Sequence, residues 1–181
     1  LRSNAPPAMR IEQQTIGLTV DDSLMRVHLA RPVEQGPWPG LMFYSDIYQL
    51  GDPILRLANR LAGYGFVVAA PEIFHRVEPM GTVIEPDAIG RLRGVADSLQ
   101  RAGEIKGALF TLFGSEDPHV PAEDRERVLE ALRGLRHETV LFEANHTFMR
   151  DDGWRWDPDL ADQAWTAVIT FLRRELLPAQ P

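Results

Sequence analysis

The chain has 181 residues, a formal net charge of -7 and no run of Lys or Arg, so nucleic acid and anionic membrane are poor partners for its bulk surface, a local basic pocket aside. It contains no cysteine, which rules out disulfides, thiolate catalysis and zinc-thiolate sites. No apolar stretch is long enough to cross a bilayer, and the N-terminus lacks the apolar core of a signal peptide, so a cytoplasmic protein is expected. Residues 1–8 are read as an N-terminal extension, with Met9 a candidate start, and 9–178 as one domain.

Ile11 to Val20 and Leu24 to Ala30 are extended runs around Asp21-Asp22-Ser23 and predict a β-hairpin. Two prolines and two glycines make Gly36 to Gly40 a loop. Leu41 to Tyr44 follows as a short apolar run of the kind a doubly covered strand shows. Pro53 suits a first helical turn, and Leu55, Leu57, Ala58, Leu61 and Ala62 form an apolar stripe behind it. Gly63 and Gly65 end that helix, and Phe66 to Ala70 reads as a second buried strand, completing a βαβ unit. Pro71 to Gly90 is expected to be a long loop.

Ala108 to Phe113 is a third buried strand. A helix is expected from Ala122 to Leu135, with Glu123 and Asp124 in its first turn, Arg133 in its last, and Val128, Leu129, Leu132 and Leu135 facing inward. Glu138 to Phe142 is a fourth strand. Asp157 and Pro158 have the residue types of an N-cap and first helical position, opening a last helix docked by Leu160, Ala164, Trp165, Val168, Phe171 and Leu172. The order predicts an α/β class: a three-layer, doubly wound sheet, mostly parallel, with an N-terminal β-hairpin.

In such sheets reactive groups gather on loops beyond the carboxyl ends of the strands. Four loops qualify: Ser45-Asp46; Glu72 with His75-Arg76; Gly114 to His119; and Asn145 to Arg150. An acid after one strand and a histidine after the next match the last two members of the Ser–Asp–His chain order. Asp117 would fix the tautomer of His146 and stabilise it once protonated, leaving His146 to act as general base. His75 and His119 lie on site-side loops but equally suit local hydrogen bonding, and His28 and His137 read as surface residues. Trp154 and Trp156 suit either a cleft wall or packing at a helix start. Asp46, Glu72, His119 and His146 have no metal-ligand spacing, and no phosphate-binding glycine motif is present.

Phe113 to Pro121 (FGSEDPHVP) and Asn145 to Gly153 (NHTFMRDDG) resemble the acid and histidine loops of dienelactone hydrolases, and Pro71 to Arg76 (PEIFHR) and Gly90 to Gly94 (GRLRG) resemble further segments of that family. The resemblance extends from about Ile11 to the last helix. It implies an α/β-hydrolase fold and hydrolysis of small esters or lactones without metal or organic cofactor. It also assigns the catalytic acid to Asp117 and the base to His146. Arg150 resembles the arginine that grips a substrate carboxylate, with Arg76 in support. Asp46 resembles the carboxylate facing the nucleophile at rest, where the family typically has glutamate.

The family's nucleophile sits in a G-x-C-x-G or G-x-S-x-G elbow between the second and third of these strands. Here Gly90 to Asp97 resembles the family before the elbow and Ser98 to Lys106 resembles it after, so the seam Asp97/Ser98 reads as an excision of the sheet's middle. Ser45, Ser98 and Ser115 lack the paired glycines of an elbow, Ser45 being the best placed of three weak options. Two functions follow: an ester or lactone hydrolase whose nucleophile segment is absent from this sequence but present in the protein, or a genuinely shortened, catalytically inactive homologue that binds or has a structural role. Water-mediated hydrolysis by His146 is a weaker third. The excision would leave the Leu41 to Tyr44 strand to pair with Ala108 to Phe113 or to form an exposed apolar edge, and hence a homodimer.

Overall fold

A computed structural model describes residues 9–44, 48–76, 78–82 and 99–177. The chain divides into two compact units, 1–93 and 94–181. The Asp97/Ser98 seam, Ser45 and Asp46 lie outside the described residues.

In the first unit, β1 (Ile11–Val20) and β2 (Ser23–Pro32) form the expected hairpin. Asp21 and Asp22 turn it with φ of 48° and 62°, a left-handed pair that short Asx side chains tolerate. β3 (Gly40–Met42), α1 (Asp52–Gly63) and β4 (Val67–Pro71) make a βαβ unit, and the strand order is β1-β2-β4-β3. β4 runs antiparallel to β2 and parallel to β3, so this sheet is mixed. Helix α1 buries Ile54, Ala58, Leu61 and Ala62, and Gly65 at φ 95° makes the reversal into β4.

Two expectations are corrected here. β3 is not covered on both faces: it ends the sheet order, with Met42 60% and Tyr44 68% exposed. His28 is not a surface residue but 6% exposed, because β2 lies between β1 and β4 under α1. Its Nε2 is 2.9 Å from Asn59 Oδ1, and Asn59 Nδ2 donates to Gln13 Oε1 at 2.8 Å. That chain gives the buried imidazole a partner, which burial demands.

The second unit runs from a 3-10 helix (Leu99–Glu104) through β5 (Leu109–Gly114), α2 (Ala122–Ala131) and β6 (His137–Phe142) to α3 (Pro158–Leu176). β5 and β6 pair in parallel, Leu109 opposite His137 through Gly114 opposite Phe142. Helix α2 stops at Ala131 rather than Leu135: Gly134 takes φ 84° and the Leu135 N–H returns to the Leu132 carbonyl. Leu132 is nevertheless buried just past the helix. Asp157 caps α3 as its residue type predicts, accepting the Leu160 N–H at 3.0 Å. α3 buries Ala161, Ala164, Trp165, Ile169 and Phe171, and Phe171 meets Phe110 of β5 with ring centres 5.2 Å apart. Ala144, Phe148 and Ala164 form a second core cluster, flanked by Leu112, Phe142, Met149 and Leu160. This apolar base lies beneath the turn that carries His146. Among the described residues no helix is long and apolar enough to cross a membrane.

Candidate active site

Because β5 and β6 are parallel and adjacent, the loops leaving their carboxyl ends emerge side by side. The backbone then joins them. Ser115 N–H donates to the Phe142 carbonyl at 2.7 Å, and Glu116 N–H to the Ala144 carbonyl at 3.0 Å. Only glycine fits at 114 in this arrangement, since a Cβ there would lie under 3.0 Å from the Ala144 carbonyl oxygen and 3.2 Å from that of Asn145.

Asp117 occurs three residues beyond β5, where its side chain closes an Asx-type turn. Oδ1 accepts the N–H groups of His119, at 2.8 Å, and Val120, at 3.2 Å. Oδ2 is left for His146, whose Nδ1 is 2.7 Å away. Arg125 of α2 secures the turn from behind, donating to the Val120 carbonyl at 2.8 Å. Burial of Asp117 pulls its carboxyl upward. The hydrogen bond from His146, the His119 N–H, the charge of His146 and the Val120 N–H outweigh that effect and hold it below the ordinary value of 3.8.

An ionised Asp117 can only accept, so the proton between them resides on His146 Nδ1. In the neutral imidazole this leaves the Nε2 lone pair free, the tautomer a general base requires. The Asp117 side chain is 11% exposed and that of His146 36%, so the acid is enclosed and the base meets solvent. The His146 backbone N–H donates to Asn145 Oδ1 at 2.7 Å. Thr147 follows at φ 61°, an uncommon conformation for a β-branched residue. The sharp reversal continues with the Arg150 N–H on the Thr147 carbonyl.

Arg150 lies on this same turn, and its Nε donates to Asp152 Oδ1 at 2.9 Å. Arg76, in the first unit, is ion-paired with Asp21 of the hairpin turn. His75 engages in local bonding: its Nδ1 is 3.0 Å from Ser23 Oγ, which donates to the His75 carbonyl. Glu72 is 1% exposed and held by Arg26, with Nη2 at 2.7 Å and Nε at 2.8 Å, while both its oxygens accept the Gly81 N–H. It is a loop anchor. Ser115 is exposed beside the acid, and no group of three or more metal-ligating side chains occurs among the described residues.

Sequence reasoning named the acid and the base but not their supports. The loop from Gly114 is marked in the sequence, but the supporting roles of Gly114, the His119 and Val120 N–H groups, Arg125 and the Ala144 carbonyl are not. The one readable signal was a glycine closing an apolar strand.

Residues 93–176 match the dienelactone hydrolase family. A protein of Azospirillum brasilense assigned as a carboxymethylenebutenolidase is 22% identical, over 86% of this chain and 96% of its own length. That alignment spans 221 residues, more than the 181 of the whole chain, so the relative carries segments with no counterpart here. Among solved structures, one from Klebsiella pneumoniae assigned as a dienelactone hydrolase superposes with a TM-score of 0.74 at 18% identity, covering 91% of this chain and 99% of its own. A dienelactone hydrolase-like promiscuous phosphotriesterase from metagenomic libraries gives 0.73 at 14% identity, with 92% and 99% covered. The chain has the α/β-hydrolase fold in shortened form.

Proposed function

We propose that this dienelactone-hydrolase-like chain is a hydrolase of small carboxylic esters or lactones in which His146 is the general base and Asp117 its orienting acid. The observation that carries this reading is the 2.7 Å bond from His146 Nδ1 to a carboxylate whose other oxygen is occupied by two backbone donors. In the proposed reaction Nε2 of His146 takes the proton of the attacking hydroxyl or water. It returns that proton to the leaving oxygen, while Asp117 remains ionised and stabilises the imidazolium. Arg150, on the same turn as His146, is assigned the grip on a substrate carboxylate. No organic cofactor or metal enters the scheme, and the cytoplasm is the proposed compartment.

A second reading is favoured by the length of the Azospirillum alignment and by the lack of an elbow in the sequence: a shortened homologue that binds such molecules without turning them over. The test assays p-nitrophenyl acetate and a small carboxylate-bearing lactone with the native protein, His146→Ala and Asp117→Asn, after the intact mass is checked against 20.4 kDa. The hydrolase reading expects turnover that falls at least about a hundredfold in His146→Ala, the usual loss for a removed general base. Lactone binding without turnover selects the second reading. Turnover insensitive to His146→Ala overturns the base assignment.

A further inference from the structure

The base in this site is half-exposed, so the core alone does not fix its ring: of its surroundings, Ala144 and Phe148 are buried, whereas the His146 side chain remains 36% accessible. Its Nδ1 bond to Asp117 limits the ring at one edge. A second contact comes from a neighbouring ring. The imidazole of His119 packs on that of His146 with centroids 4.6 Å apart and planes tilted by 57°, inside the range in which aromatic rings attract. The same residue donates its backbone N–H to Asp117 Oδ1 at 2.8 Å. One residue thus touches both members of the pair, the acid through its main chain and the base through its side chain.

We propose that His119 is a positioning residue that braces the His146 imidazole against Asp117. The inference deepens the hydrolase reading and relies on His146 as the base, but the brace itself is a property of the resting protein and needs no substrate. Pro118 and Pro121 flank the turn and narrow the backbone choices around it, so the ring at position 119 is presented from a stiff segment. A planar ring is what the contact uses. An aromatic replacement should therefore preserve it and a methyl group should not, whereas the backbone N–H survives in either variant.

The experiment is nuclear magnetic resonance of the whole chain, following the His146 Nδ1 proton and its exchange with water in native protein, His119→Phe and His119→Ala. His146→Ala and Asp117→Asn identify the resonance by removing it. In His119→Ala the exchange should quicken roughly threefold to tenfold, the span implied by losing one aromatic pair. His119→Phe should restore the native rate. Backbone amide spectra of both variants check that the fold persists. If His119→Ala leaves the exchange unchanged while the resonance still depends on Asp117, the brace is refuted and the acid–base pair stands. If the native protein shows no proton that Asp117→Asn abolishes, the pair is refuted and the brace with it.

Discussion

Replacing Gly114 by alanine tests the assembly of the site at its tightest point. The added Cβ would meet the Ala144 carbonyl oxygen at under 3.0 Å, its carbon at 3.0 Å and the Asn145 oxygen at 3.2 Å. All three are backbone atoms, so no side chain can rotate away. The 144–145 segment must retreat by roughly 1 Å, and it leads directly into His146; a misplacement of that size costs about a hundredfold in a catalytic site. The retreat also strains the Glu116 N–H bond to the Ala144 carbonyl. Overpacking of this kind costs about 1–3 kcal/mol. Urea unfolding of Gly114→Ala should show that loss, and the Asp117–His146 proton should weaken or vanish in the magnetic resonance spectrum. A variant within about 0.5 kcal/mol of native, as an ordinary surface change would be, with that proton unaltered, would refute the claim that the two loops interlock here.

Asp157→Ala removes the N-cap of α3 and should lower stability by about 1 kcal/mol, read from the urea midpoint at unchanged slope. Glu72→Gln leaves Arg26 without its buried counter-charge and should cost about 3 kcal/mol in the same measurement; an unaltered midpoint would remove Glu72 as the anchor of its loop. The folded Asp117 carboxyl sits below its ordinary value, so the unfolded chain binds its proton first as pH falls. Its contribution to stability is therefore complete above the ordinary value of 3.8 and lost as pH drops through the lower folded value. Asp117→Asn should flatten that part of the stability–pH curve, and curves of equal slope for the two proteins would count against the bond.

Much of this arrangement was legible because short local signals determine it. Asp21-Asp22 dictates a left-handed turn, Asp157-Pro158 opens a helix, and an acid and a histidine after successive apolar strands lie together once those strands are parallel neighbours. The misreadings concern what surrounds an element rather than its type. Leu41 to Tyr44 has a buried strand's composition, yet periodicity carries no information about which neighbours cover it. His28 is polar, and its burial depends on Asn59 from a helix thirty-one positions away. Gly134 ended α2 early because a left-handed glycine outweighed the apolar spacing that ran on to Leu135.

The acid and the base are separated by only 29 positions, with one helix between their strands. The entropy of bringing them together is thus set by that single short crossover and grows only slowly with loop length. Insertions or losses of residues before position 99 do not alter the tether. The Asp117–His146 contact therefore keeps the same short tether whatever the length of the segment that precedes it.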